Sequence, residues 1–309
     1  MAAVAVGTPF GPGRGAETLG PMIEAEPGLH PAAMAKALPR AFARTAAAAL
    51  VVAIVAPASL AAHETKPPAG DAEPPPSVDQ LLQHFDTIVF QSEFKDLAPS
   101  KVIKKWTQPL RVAIRAFAET IVDKDGHELR QLQQVKLKKP YRKFIRKHLG
   151  SLIAATGLKT EDARKTGKDP NFTINFVPRS QTANPYFANT ERQLLKRLAA
   201  EGGCFFLVWA DAETGNISKA VIVVNAERLL IRINHCLLEE MTQSLGLPND
   251  TNLLSPSIFS DASRRTDLSR TDLIVLKTLY DPRMQAGLPR ARALEIARVI
   301  IGELNARLP

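Results

Sequence analysis

Residues 235–250 read HCLLEEMTQSLGLPND, and this stretch decides how the rest of the chain is interpreted. Its apolar side chains recur at helical spacing, at Leu237, Leu238, Met241 and Leu245. This pattern predicts a helix over 229–245, and Gly246 is the residue type that commonly ends a helix. The same helix carries two adjacent carboxylates, Glu239 and Glu240, which makes it the first place to look for a functional site.

The polar residues of this stretch resemble the zinc-binding helix of the metzincin proteases, whose pattern is H-E-x-x-H-x-x-G-x-x-H/D. There, two histidines one turn apart bind zinc and the glutamate between them is the general base. In this chain Glu240 stands at the position of the base and Gly246 at the position of the turn. The three ligand positions are occupied instead by Glu239, Gln243 and Asn249, with Asp250 beside the last.

Two stretches further along the chain extend the resemblance. Residues 255–259, SPSIF, fall where a metzincin has its Met-turn, with Ile258 in place of methionine, and residues 268–280 resemble the last matrixin helix. Over roughly 78–288 the chain also resembles the proteobacterial domain-of-unknown-function 2927 (DUF2927) family of exported proteins. The resemblance implies a zincin-like fold and an exported location, but no established activity. The chain has no lipobox cysteine, unlike the lipoprotein members.

A second interpretation of the same helix needs no site. The apolar residues would form its buried face, while Glu239, Glu240 and Gln243 would form its solvated face and Gly246 an ordinary cap. The matches further along the chain favour the zincin-like interpretation.

The remaining pattern predicts an α+β domain of the metzincin type, with a mixed, mostly four- to five-stranded sheet, the motif helix and helices after it. The predicted strands are Thr87–Phe90, Leu110–Ile114, Phe172–Val177, and a hairpin of Phe205–Ala210 with Ile217–Asn225. The other predicted helices are Val78–Gln83, Pro140–Leu158, Glu191–Ala200, Leu268–Tyr280 and Arg290–Leu304.

The N-terminal part of the chain has the pattern of an export signal. Basic residues precede the uncharged run TAAAALVVAIVA at 45–56, and small residues follow it up to Ala61. This pattern predicts a signal peptide at 34–61, because the run is too short for the ~20 residues of a membrane span. Residues 1–33 are interpreted as an over-long gene start or disordered, residues 62–77 as a Pro-rich linker, and residues 78–309 as the globular domain.

The two cysteines of the chain, Cys204 and Cys236, both lie beyond the predicted signal. In an oxidising compartment an even pair favours a disulfide, which here would join the hairpin to the motif helix. The alternative is a pair of buried free thiols. No CxxC motif is present, so the sequence does not favour redox catalysis.

A basic segment lies at 136–147 and contains no acidic residue. Its cations are Lys136, Lys138, Lys139, Arg142, Lys143, Arg146 and Lys147, in a chain of net charge +9. They predict either a patch for an anionic membrane surface or polymer, or a merely solvated helix face. Nucleic acid is not an expected partner, because export and the absence of a recognised motif oppose it. On the helix, His148 falls on the apolar edge and is expected in the core.

Three hypotheses about function follow. The leading one is an exported, non-catalytic zincin-like domain that binds envelope proteins or anionic envelope polymers, with no cofactor. The second is an atypical metal-dependent hydrolase, with Glu240 as general base and a divalent metal held by Glu239, Asp250 and Gln243, whose oxygen ligands suit harder ions than zinc. The third is polyanion or membrane-surface binding through the basic segment alone.

Overall fold

The computed structural model describes residues 75–92, 98–124, 127–200 and 203–308. The predicted signal peptide, the stretch before it and most of the linker lie outside these residues. The described helices are α1 (Val78–Phe90), α2 (Lys139–Thr156), α3 (Ala163–Thr166), α4 (Pro185–Ala188), α5 (Arg192–Ala199), α6 (Leu230–Gln243), α7 (Arg270–Tyr280) and α8 (Arg290–Arg307). The described strands are β1 (Lys105–Trp106), β2 (Val112–Lys124), β3 (His127–Val135), β4 (Phe172–Val177), β5 (Cys204–Ala210) and β6 (Asn216–Asn225).

The strands form one mixed sheet in which β6 has three partners. It pairs antiparallel with β5 and parallel with β4, and its first two residues pair parallel with β1. On the other side of β4 lies β2 in parallel, and β3 is the antiparallel edge strand beyond it. The mixed α+β architecture predicted from the sequence is therefore correct, with six strands in place of four or five.

The first predicted strand was wrong, because Thr87–Phe90 belongs to α1. Ser77 and Gln80 form a capping box at the start of this helix, so two backbone N–H groups of its first turn have hydrogen-bond partners. Its buried residues Leu81, Phe85 and Ile88 follow at helical spacing and continue to Phe90. The β-branched residues near its end suggested a strand, but packing of this apolar face against the core decides in favour of the helix.

The predicted strand Leu110–Ile114 is the start of a much longer element. β2 continues to Lys124 and pairs with β3 from Ala116 onward, whereas its pairing with β4 stops at Ala116. The outer part of β2 and the whole of β3 therefore form a two-stranded ribbon beyond the main sheet. The sequence HELRQLQQV of β3 has few apolar residues and shows no alternation that would mark a strand.

The other elements agree closely with the sequence pattern. Pro140 lies in the first turn of α2, and Gly157 ends that helix in the left-handed conformation. The β5–β6 hairpin forms as predicted and leads directly into α6. The helix predicted from Leu268 begins at Arg270, because the side chain of Ser269 caps its first turn.

The main hydrophobic core lies between the sheet and the helices α1, α2, α6, α7 and α8. A smaller core covers part of the sheet with side chains of α4 and α5, such as Phe187 and Leu195. The second half of α6 is consequently buried all round, which sets the environment of its polar residues. None of the described helices is long and apolar enough to cross a membrane.

Candidate functional site

The polar residues of α6 are directed into the protein interior. Glu239 is 8% exposed, and both Glu240 and Gln243 are 0% exposed. The interpretation of these three residues as a solvated helix face is therefore wrong. Carboxylates are rarely buried without a partner, so this part of α6 needs either an internal network or a ligand to account for it.

The turn after α6 depends on Gly246. Its φ is +103°, and a Cβ at this position would lie 2.1 Å from the carbonyl oxygen of Lys104. Only glycine adopts this conformation and leaves room for the neighbouring chain. The turn brings the chain back, so that Asp250 reaches Gln243 of α6.

Beyond the turn, Asp250 contacts Gln243, and its neighbour Asn249 bonds to the backbone. The Gln243 side-chain amide donates a hydrogen bond of 2.5 Å to the Asp250 carboxylate. The backbone N–H of Asn249 donates to the carbonyl of Ile88 at the end of α1, and its side-chain amide donates to the Asp250 carbonyl. Within the described residues, Oε1 of Gln243 is a buried acceptor with no hydrogen-bond partner. Gln243 and Asp250 are therefore in contact, while Asn249 is used to hold the loop.

Glu239 contacts a histidine on the same helix. His235 Nε2 lies 3.4 Å from a carboxylate oxygen of Glu239, and its Nδ1 lies 2.7 Å from the carbonyl oxygen of Arg265. A carbonyl only accepts, so Nδ1 carries a proton and donates it. The Nε2 contact with Glu239 is attractive only if Nε2 or the carboxyl group also carries a proton. His235 lies one helical turn before Glu239, so α6 itself brings the two side chains together.

Arg228, just before α6, supplies positive charge to both carboxylates. Burial lowers the pKa of its guanidinium, and the neighbouring charges of Arg232 and Arg264 act in the same direction. The carboxylates of Glu239 and Glu240 oppose them and raise it. The buried acidic pair thus has an internal counter-charge, which the sequence pattern did not identify because Arg228 lies outside the motif.

Cys204 and Cys236 form a disulfide, as predicted. Their Cα atoms are 6.3 Å apart, within the usual range for such a bond. Cys236 lies one helical turn before Glu240, so the two side chains project from the same face of α6. One carboxylate oxygen of Glu240 and the two sulfur atoms all lie within 4.8 Å of one another.

The described residues contain one group of three His, Cys, Asp or Glu side chains close enough to share a metal ion. It consists of Cys204, Cys236 and Glu240, and the disulfide already engages its two sulfur atoms. Glu239 and Asp250 do not join Glu240 in such a group. The geometry thus brings Gln243 and Asp250 together, while Glu240 lies on the disulfide side of the helix.

The loop at 255–259 is fixed by hydrogen bonds to a residue of α7. The buried carboxylate of Asp272 accepts hydrogen bonds from the Ser257 hydroxyl and from the backbone N–H groups of Ile258 and Ser269. Burial raises the pKa of Asp272, and these hydrogen bonds oppose the increase. Ile258 itself is 0% exposed. The residue that stands in place of the Met-turn methionine is therefore part of the core.

The cations of the basic segment are all exposed, namely Lys136, Lys138, Lys139, Arg142, Lys143, Arg146 and Lys147. Lys147 pairs with Asp267 at 2.7 Å, and Lys138 lies over the ring of Tyr141. His148 is buried and bonds to Asn234 of α6, so its predicted place in the core is confirmed. The segment is separate from the motif residues.

Sequence reasoning missed an exposed apolar group at the start of α6. Leu229, Leu230 and Ile231 are exposed by 74%, 46% and 59%. In the sequence they look like the beginning of the apolar face of the helix. Since they precede its first buried residue, Ile233, only the three-dimensional structure shows that they face outward.

Comparison with known proteins identifies one family. A family model described as "Protein of unknown function (DUF2927)" matches residues 78–299, which is more than half of the chain. No curated protein and no solved structure matches the chain.

Proposed function

Because this chain belongs to the DUF2927 family, whose function is unknown, we propose its function from the site itself: an exported, non-catalytic domain of zincin-like type that binds or organises other envelope components. The observation that carries the proposal is the chemistry of the three ligand positions. They offer one carboxylate, Glu239, and two amides, Gln243 and Asn249. Structural and catalytic zinc sites use cysteine, histidine and carboxylate ligands instead.

The hydrogen bonds of these residues support a network that holds itself together. The Gln243 amide is fixed by Asp250 and the Asn249 amide by the loop, while Glu239 contacts His235 and interacts with the charge of Arg228. An arrangement of this kind would stabilise the turn after α6 without an ion, with Oε1 of Gln243 left as an acceptor that has no hydrogen-bond partner among the described residues. The motif would then be retained for its fold, while its former ligand positions have become internal contacts.

The element order supports the zincin-like part of the proposal. An antiparallel edge hairpin leads into the motif helix, a glycine turn follows, and a buried loop lies between that turn and the next helix. This is the order in which the sequence resembles the metzincins. Export is supported by the signal-like pattern at 34–61 and agrees with the disulfide, since such bonds persist in oxidising compartments.

Metal content tests the proposal directly. We expect the purified chain to contain no stoichiometric zinc, manganese or calcium and to show no peptidase activity that a chelator abolishes. Elemental analysis measures the first, and hydrolysis of a mixed peptide library measures the second. About one ion per chain, lost on Glu239→Ala or Gln243→Ala, together with peptide hydrolysis that a chelator abolishes, would favour the metal-dependent hydrolase and reject the non-catalytic domain.

A gain-of-site experiment tests the zincin-like geometry. Glu239→His with Gln243→His places two imidazoles one turn apart beside Asp250, so we expect zinc to bind with a carboxylate as third ligand. The matched control is Glu295→His with Val299→His on α8, where both positions are exposed and have the same spacing. Titration calorimetry should give at least about tenfold tighter binding for the motif variant, because Asp250 lies beside its two imidazoles, whereas Glu303, one turn beyond the control pair, is already bound by Arg283. Equal affinities would count against the zincin-like arrangement.

A further inference from the structure

The helices α2 and α6 lie side by side and begin at the same end of the molecule. The Tyr141 hydroxyl near the start of α2 donates a hydrogen bond of 3.0 Å to the carbonyl of Ala226, just before α6. About two turns later, His148 Nε2 lies 2.8 Å from Oδ1 of Asn234. The residue numbers of both partners increase from the first contact to the second, so the two helices run parallel. Their N-termini, the positive ends of their dipoles, therefore face one surface.

The charges at this surface are opposite to those that stabilise helix ends. Neither helix has an acidic residue in its first turn or a side-chain cap. Lys138 is the N-cap residue of α2, and Arg142 and Arg232 lie near the two helix starts. Cations near a helix N-terminus are unfavourable for stability. Such a concentration points to a function that needs positive charge at this surface.

Exposed apolar side chains project within the same cationic area. Leu229, Leu230 and Ile231 form three consecutive exposed large hydrophobic residues, between Arg228 and Arg232. Asp267, an acidic residue beside this area, is paired with Lys147 at 2.7 Å. We call this surface the basic end; its residues are the cations of 136–147 together with Arg228, Leu229, Leu230, Ile231 and Arg232.

We propose that the basic end docks on the surface of an anionic phospholipid bilayer. The lysine and arginine side chains bind lipid phosphates, and the three apolar side chains enter the boundary between headgroups and acyl chains. A soluble polyanion would use the cations alone and leave Leu229, Leu230 and Ile231 in water. The apolar group is therefore the feature that favours a membrane, and this inference is independent of the role of the motif helix.

Vesicle binding tests the proposal. The chain, in the form to which the cell processes it, is sedimented with vesicles of phosphatidylcholine alone or with 30 mol% phosphatidylglycerol. We expect clear retention on the anionic vesicles only, decreasing as salt is raised because surface charges are screened. Equal retention on both kinds of vesicle, or on neither, would overturn the proposal.

Two variants separate the contributions of charge and apolar insertion. Lys143→Gln with Arg146→Gln should weaken partition about 25-fold, since each basic residue near an anionic surface contributes about fivefold. Leu230→Ser with Ile231→Ser should weaken it at least about tenfold at constant charge. All four side chains are exposed, so these substitutions leave the core intact.

The matched controls change similar residues elsewhere on the surface. Lys165→Gln with Lys168→Gln removes two exposed cations, and Val299→Ser removes one exposed apolar side chain. Both controls should bind vesicles like the unsubstituted chain. If the serine variant bound as well as the unsubstituted chain, the basic end would be a polyanion site and membrane docking would be excluded. If Lys165→Gln with Lys168→Gln weakened vesicle binding as much as Lys143→Gln with Arg146→Gln, binding would depend only on the net charge of the protein. That result would also reject the proposal.

Discussion

At the scale of single residues, Gly246 has the most constrained position in the candidate site. Its positive φ and the nearby carbonyl of Lys104 leave no place for a side chain. We expect Gly246→Ala to lower the free energy of unfolding by at least about 2 kcal/mol, measured by urea denaturation. Gly150→Ala is the control, since this helical glycine has open space around it and alanine there should stabilise by about 0.5–1 kcal/mol. Similar effects of the two substitutions would show that the turn tolerates a side chain.

His84 is a second residue with an unusual environment. It lies in α1 with 0% exposure, its ring meets Phe259 edge-on, and neither ring nitrogen has a hydrogen-bond partner among the described residues. Burial lowers the pKa of His84 from 6.5 to about 4. The imidazole is therefore neutral in the folded protein at pH values where the unfolded chain already binds a proton.

This difference predicts loss of stability in acid. As pH falls below 6.5 the unfolded state gains a proton first, so His84 destabilises the fold progressively down to about pH 4, by a total of about 3 kcal/mol. His84→Phe removes the titrating group and keeps an aromatic ring beside Phe259. Urea denaturation at pH 7, 5 and 4 should show that the free energy of unfolding of the variant rises relative to that of the original chain by about that amount between pH 7 and pH 4. Parallel pH profiles for the two proteins would contradict the assignment.

How far the site could be predicted also becomes clear at this scale. The spacing in 235–250 was sufficient to select Glu239, Glu240 and Gln243 as candidates. Burial was not predictable, because an E-E-x-x-Q pattern suits a solvated face equally well. The partnership of Arg228 with the two carboxylates depends on the entry path of the chain into α6, which no local pattern encodes.

At the scale of elements, the segments with strong periodicity were predicted well. The helix over residues 140–158 and the hairpin ending at Asn225 have clear apolar periods, a turn sequence and end signals, and both form as expected. Elements that are stabilised by pairing with a distant segment, and not by their own apolar pattern, were missed. β3 is polar along most of its length and exists because β2 offers a pairing edge, which is a non-local condition.

The disulfide connects two of these elements, the start of β5 and the middle of α6. The bonded cysteines are 32 residues apart, so the chain-entropy model assigns the bond about 3.5 kcal/mol. We expect Cys204→Ala with Cys236→Ala to lower the free energy of unfolding by about this amount relative to the oxidised chain. A dithiol reductant should destabilise the original chain but leave the double variant unchanged. If the reductant moved neither transition, the bond would contribute nothing to stability.

At the scale of the whole molecule, the N-terminal pattern predicts that the working protein is shorter than the chain. We expect N-terminal sequencing of the native protein to begin within a few residues of Ala62, because small residues precede this point and an apolar run lies before them. The same material should come from the periplasmic or secreted fraction. A native N-terminus upstream of Thr45 would disprove the signal assignment.

The three partners of β6 have a consequence for how the chain folds while it is being made. This strand is the last of the sheet in chain order, yet it lies between β4 and β5, so the sheet stays open until Asn225 has emerged. At ordinary rates of synthesis, about 3–10 s pass between the appearance of Phe172 and that of Asn225. Throughout this interval the parallel edge of β4 lacks its neighbour and can pair with other chains. The nascent protein would therefore benefit from being held unfolded until its last strand arrives.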